Sequence, residues 1–415
     1  MHIKIGKHAG KAVCLPALLL GLIGSMWAQS GTHSNITQYP TPTQDSEPGG
    51  ITPGPDGALW FAEYNADRIG RITTAGAITE FPTPTTHSGP WGIAVGADGA
   101  LWFAEDPAGQ IGRITTAGTF TEYPVPTRNG EPLGIAAGPD GALWFTEWAG
   151  NNIGRITIDG VVTEYPIPTP NSNPYGIAAG PDGALWFTEQ GGGKIGRIAT
   201  TGTIEEYSPA SYPTSITAGP DSALWFTEYD TGKIGRITTS GAVTEYPVAQ
   251  YEPFGIAAGP DGALWFTEYA GDSIGRITTT GVATEYPAPA TGSGLALMTA
   301  GPDGALWFTE WGGSKIGRNP ACGLGFSATF ANGTLTMDFN LGIDTPATFN
   351  ILLRNPSGPI GVPFSKAIQP VVPPQAFTER WHNVPNLGEV TVQSTLTAGP
   401  GQVICSEWTT LSTAQ

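Results

Sequence analysis

Residues 138–147 read GPDGALWFTE, and close copies stand at 54–63, 96–105, 180–189, 219–228, 259–268 and 301–310. The tryptophan of the motif falls at 60, 102, 144, 186, 225, 265 and 307, in steps of 39 to 42 residues. A fixed period near 40 restricts the chain to a repeat architecture. Within 132–166, PLGIAAG, ALWFTE, IGRITI and VVTEYP are four short apolar or alternating runs, separated by PDG, WAGNN and DG turn signals. None is long enough for a helix, and four strands per period of about 40 residues is a propeller blade.

The two ends of the array specify how it closes. The last copy stops after KIGR at Asn319-Pro320 and lacks its fourth strand, whereas NITQYPTPT (35–43) matches the fourth strand ITEFPTPT (78–85) with no blade of its own. The N-terminal strand is therefore expected to complete blade seven and remove the open sheet edges. This predicts an all-β chain with a seven-bladed β-propeller over 35–319.

Abundant glycine (59) and proline (38) with only 13% charged residues would suit low complexity, but 13 Trp, 16 Phe and 12 Tyr supply a core. The net charge of −17 argues against nucleic acid and anionic membrane surfaces as partners. Residues 1–30 read as a secretory signal peptide: Lys4, Lys7 and Lys11 precede the apolar run 12–28, and Ala28-Gln29-Ser30 offers small residues for cleavage. The alternative reading of that run is a membrane helix. Cleavage removes three lysines and no acid, taking −17 to −20. The expected mature chain is a secreted or periplasmic monomer without membrane insertion.

Residues 322–415 lack the repeat. Asn332-Gly333 marks a hairpin turn, and ATFNILL, EVTVQSTL and QVICSEW read as strands of a small C-terminal β-sandwich-like domain. The two cysteines left after cleavage, Cys322 and Cys405, are expected to form a disulfide closing an 84-residue loop. The chain-entropy model values such a bridge at up to about 4–5 kcal/mol.

A residue present in every blade serves what all blades share. The glutamate ending each copy (Glu63, Glu105, Glu147, Glu189, Glu228, Glu268, Glu310) and the arginine of each IGR are therefore read as a structural pair rather than a catalytic ring. Function is sought on the face carrying the loops that vary. There, the residue before Gly-Ile is Gly49, Trp91, Leu133, Tyr175, Thr214, Phe254 or Ala296, and the residue after WFTE is Tyr64, Asp106, Trp148, Gln190, Tyr229, Tyr269 or Trp311. Trp91, Tyr175, Phe254, Tyr64, Trp148, Tyr229, Tyr269 and Trp311 make this mouth aromatic, as suits a small molecule, carbohydrate or peptide ligand; capping of the blade edges is the alternative. Glu47, Glu131 and Glu252 precede the opening proline of their blades, and with Asp106 offer oxygens for a cation.

The string GPDGALWFTE…KIGRIT…G…TEYP closely resembles the streptogramin lyases, or virginiamycin B lyases, over about 35–319. The resemblance implies a seven-bladed propeller and, in active members, Mg²⁺-dependent opening of a cyclic depsipeptide by elimination across an ester. That chemistry needs a base beside a carbonyl. The family pattern places histidines before Gly-Ile or Ala-Ile in the last two blades, with a glutamate two residues before the final one. Those positions here are Phe254, Ala296 and Gly294, while Glu252 keeps the glutamate one blade early. His87 is the only histidine in 35–319, so a surviving base would be a carboxylate, with Glu252 and Glu131 as candidates. No GxSxG elbow, propeller cysteine or phosphate loop is present. Three functions remain open: a ligand-binding propeller without lyase chemistry; an enzyme, either a lyase with a displaced site or another carbon–oxygen lyase or hydrolase using acids and a metal; or a purely structural surface protein.

Overall fold

The structure is a computed structural model that describes residues 36–208, 211–248, 252–288 and 292–319 in full, and the strands between 324 and 412 as backbone. Residues 1–30, read above as a signal peptide, Cys322, and Asn332-Gly333, read as a turn, lie outside the described residues.

Seven four-stranded antiparallel sheets run from Thr37 to Asn319. Blade three shows the pattern: Pro132–Ala137, Leu143–Glu147, Asn152–Ile156 and Val162–Pro166 pair in sequence order. Blade seven pairs Leu295–Ala300, Leu306–Glu310 and Lys315–Asn319 with the N-terminal strand Thr37–Pro40, in register Thr37↔Arg318 to Pro40↔Lys315. Tyr39 stacks on Trp307 at 5.7 Å, as Tyr123 stacks on Trp102 at 5.5 Å within blade two. The first strand thus supplies both the hydrogen bonds and the ring that the truncated blade lacks, and the circle closes.

The alternation in ALWF explains why the motif repeats. Side chains on a strand point to opposite faces in turn. Trp102 projects toward blade three, where it packs with Ile135, Leu143 and Phe145; Leu101 and Phe103 project back onto Trp60 and Ile69 of blade one. Each blade therefore needs tryptophan on one face and leucine with phenylalanine on the other. All seven tryptophans are at most 1% exposed. Each phenylalanine in turn requires the glycine of IGR: a Cβ on Gly154 would lie 2.1 Å from Phe145 Cζ. The inner strands also approach closely, so that a Cβ on Gly50 would meet the Trp91 carbonyl oxygen at 2.6 Å.

The expected pairing of the repeated glutamate with the IGR arginine is not what the register produces. Trp144 stands opposite Arg155, while Glu147 stands opposite Asn152 at the other end of the blade. The arginine instead meets the aspartate of the PDG turn: Arg155 Nε donates to Asp140 Oδ2 (2.7 Å), and Trp144 Nε1 donates to Oδ1 (3.0 Å). The other blades repeat this, for example Arg71 and Trp60 on Asp56. Burial raises the Asp56 and Asp140 pKa values, but the tryptophan and arginine bonds outweigh it and hold both below the usual carboxylate range.

The repeated glutamates have a different setting. Glu63, Glu105 and Glu189 are fully buried, and neither oxygen of any of them accepts a hydrogen bond. Burial pushes all three up to about 8, and the glutamate of the same blade's outer strand (Glu80, Glu122 or Glu206) adds to the rise. They are neutral over most of the acid and neutral range. The outer glutamates have partners that the inner ones lack. Thr43 donates to Glu80 through its backbone N–H (2.9 Å) and hydroxyl (2.6 Å), and Thr85 and Thr127 treat Glu122 and Glu164 alike. These clasps tie each PTPT segment to the next blade.

Beyond the propeller, the backbone forms two antiparallel sheets. One joins Leu324–Ala331, Thr334–Ile343 and Val371–His382; the other has the order Gly358–Ile368, Ala347–Asn355, Glu389–Thr397, Val403–Ser412. Cys405 lies in the last strand, opposite Leu396.

Candidate functional site

The face opposite the PDG turns is built on one recurring device. The residue just before each inner strand has positive φ in all seven blades: Glu47 (51°), Gly89 (54°), Glu131 (53°), Asn173 (47°), Tyr212 (50°), Glu252 (54°) and Gly294 (60°). Its carbonyl accepts the backbone N–H of the residue after WFTE, as in Tyr64 N–H to Glu47 O (3.2 Å), Trp148 to Glu131 (2.9 Å), Tyr269 to Glu252 (3.0 Å) and Trp311 to Gly294 (2.9 Å). Glycine and asparagine take this conformation readily; glutamate and tyrosine do so at a cost of order 1–3 kcal/mol. The blade fixes these side chains at the mouth despite that cost.

The aromatic residues there form one connected path. Trp311 contacts Tyr64 (5.5 Å) and Trp91 (5.0 Å), Trp91 contacts Tyr175 (6.3 Å), and Tyr175 contacts Phe254 (6.0 Å). Phe254 then meets Tyr269 (5.8 Å) and Tyr229 (6.0 Å). Seven of the eight sequence-selected aromatics are thereby brought together. Trp148 stands apart from this path and donates its indole N–H to Gln190 Oε1 at 3.4 Å. The path gains Tyr212, 6.1 Å from Tyr229, which sequence reasoning missed. Tyr212 occupies the same slot before proline as Glu47, Glu131 and Glu252, so alignment of the copies contained the signal.

Beneath the path, Trp91 and Tyr175 roof the central channel, whose wall includes Ile51, Ile93, Ile135 and Met298 and whose volume is about 170 Å³. That is below the roughly 300–1,000 Å³ of drug-sized ligand pockets.

Carboxylates flank the path in two places. Tyr64 donates its hydroxyl to Asp106 Oδ2 (3.3 Å), and Tyr229 donates to Glu252 Oε2 (2.6 Å). Burial first, and then the charge of Glu131, push Asp106 up to about 6. Burial, followed by the charge of Asp45, raises Glu47. Among the described residues no three His, Cys, Asp or Glu side chains converge as metal ligands. The four acids named from the sequence thus do not converge as a protein cage for Mg²⁺. Phe254 is part of the aromatic path, whereas Ala296 is buried.

A closed ring of seven four-stranded blades defines the class, a seven-bladed β-propeller. The chain belongs to the virginiamycin B lyase family, whose model matches residues 21–211 and 208–324. A virginiamycin B lyase from Staphylococcus aureus is 42% identical, with a TM-score of 0.65 over 68% of this chain and 98% of that one. A solved streptogramin B lyase is 40% identical, with a TM-score of 0.65 over 68% and 96% of the two chains. A catalytically inactive histidine-to-alanine variant of the Staphylococcus aureus enzyme, solved with quinupristin, is 41% identical, with a TM-score of 0.65 over 68% and 98%.

Proposed function

We propose that this protein is an exported ligand-binding propeller that takes a small molecule, sugar or peptide across its aromatic face. The supporting observation is the connected path of rings from Trp311 to Tyr229 across the mouth of the central channel. Replacing Trp91, Tyr175 and Phe254 by alanine together is expected to abolish binding of a depsipeptide such as quinupristin without unfolding the ring. Calorimetry on the mature chain checks this, and retained affinity would move the site elsewhere. A relative with one histidine replaced is catalytically inactive. With Phe254 and Ala296 at the family's histidine positions, this propeller is read as binding without that chemistry.

One observation favours a second reading, a lyase with a displaced site. Asp106, held at about 6, has the pKa of a general base near neutral pH. Such a base would take a C–H proton while a C=C bond forms, the ester C–O bond breaks and a carboxylate leaves. Glu131 and Glu252 stand as further candidates. Incubation with a streptogramin B antibiotic and Mg²⁺, followed by mass spectrometry, separates the readings. A linear product of unchanged mass supports the lyase, and an intact ring supports binding alone.

A further inference from the structure

The aromatic face is not uniform, and its blade five to six corner combines rings with an uncompensated carboxylate. Tyr229, Phe254 and Tyr269 form a triangle with centroid separations of 6.0, 5.8 and 6.4 Å. The rings are tilted or T-shaped to one another, at 77°, 45° and 54°, and a point roughly 4–5 Å above the centre of such a triangle is within ~6 Å of all three centroids, the range over which a ring face attracts a cation. Glu252 borders it. One of its carboxylate oxygens is taken by the Tyr229 hydroxyl at 2.6 Å, and among the described residues no other donor bonds the carboxylate.

Most lysines and arginines of the propeller are engaged elsewhere. Lys194 pairs with Glu206, Lys233 with Glu245, Arg68 with Glu80 and Arg236 with Asp221. Among the described residues no lysine or arginine pairs with Glu252, Glu131, Glu47 or Asp106. An apolar group would gain only stacking from this corner, and a neutral sugar could add a hydroxyl hydrogen bond to the carboxylate, but neither would bring it a countercharge. A ligand carrying an ammonium group would satisfy both.

We infer that the Tyr229–Phe254–Tyr269–Glu252 corner selects organic cations, in particular the alkylammonium group of a larger ligand. The inference rests on the reading of the aromatic face as the ligand site and specifies the charge that the ligand brings.

Choline and its neutral isostere 3,3-dimethylbutan-1-ol test it on the mature chain by saturation-transfer NMR and calorimetry. Choline is expected to bind at millimolar concentration and at least about tenfold more tightly than the alcohol. Glu252→Gln keeps the side-chain shape and backbone conformation, and is expected to weaken choline about threefold to thirtyfold while leaving the alcohol unchanged. Tyr269→Ala is expected to weaken choline as well. Equal binding of the two probes would overturn charge selection while leaving the aromatic face as a ligand site. Absence of choline binding, or choline binding that Glu252→Gln does not change, would also overturn it. The quinupristin titration judges the broader reading separately.

Discussion

Replacing Glu105 by glutamine should change how the propeller's stability depends on pH. Glu105 is fully buried, and among the described residues no donor lies within hydrogen-bonding geometry of either oxygen; the nearby Ser88 hydroxyl bonds Thr83 at 2.9 Å. Burial, and then the charge of Glu122, move its pKa from 4.5 to about 8. This group's folded value lies above its unfolded one. The stability it confers is therefore fully present below pH 4.5 and lost as pH rises through 8. The complete loss corresponds to roughly 5 kcal/mol, with a slope of about 1.4 kcal/mol per pH unit inside the window.

Glutamine has nearly the shape of the protonated acid and does not titrate. Urea unfolding of both proteins at pH 5, 6, 7 and 8 gives the comparison. The stability difference should swing toward the Glu105→Gln variant by roughly 3–4 kcal/mol between pH 5 and pH 8. A difference that stays flat within about 0.5 kcal/mol over that range would refute the reasoning, since Glu105 would then be ionised and solvated in the folded ring. The same measurement on Glu63→Gln, in the same environment with Glu80 as neighbour, should give the same slope.

Asp140→Ala removes the acceptor of both Trp144 and Arg155 and should cost about 2–3 kcal/mol, read as a lowered urea midpoint. Gly154→Ala places a Cβ against the Phe145 ring and should destabilise by about 1–3 kcal/mol or more through overpacking; an unchanged melting temperature would show that the ring can shift freely. Deleting residues 36–40 leaves blade seven with three strands and Trp307 without its Tyr39 partner. Limited proteolysis of the deleted chain should cut between 295 and 319 before any other blade.

The architecture was legible because the repeat states it redundantly. Seven tryptophans at nearly constant spacing set the blade count, and one displaced copy of the outer strand set the closure. The aromatic mouth was legible for a related reason: positions that vary inside a strict frame stand out once the copies are aligned. The Glu–Arg pairing was misread because sequence gives order along the strands but not register between them. In the antiparallel pair, the tryptophan and not the glutamate comes to stand beside the arginine. The aspartate that does pair was hidden in a PDG signal already explained as a turn.

The residue before each opening proline was the least legible feature, although it organises the face. Nothing in Glu131-Pro132 or Glu252-Pro253 announces positive φ, since both glutamate and a following proline disfavour it. Only the carbonyl-to-amide bond shared by the blades makes the conformation obligatory. Gly89 and Gly294 meet that requirement without strain, so evident substitutes existed for Glu47, Glu131, Tyr212 and Glu252. Side chains retained at strained positions, aimed at the same mouth as Trp91 and Phe254, are better explained by what they contact there than by the stability of the ring. Glu252→Gly should therefore stabilise the propeller, or leave it unchanged, while weakening whatever binds at the blade five to six corner.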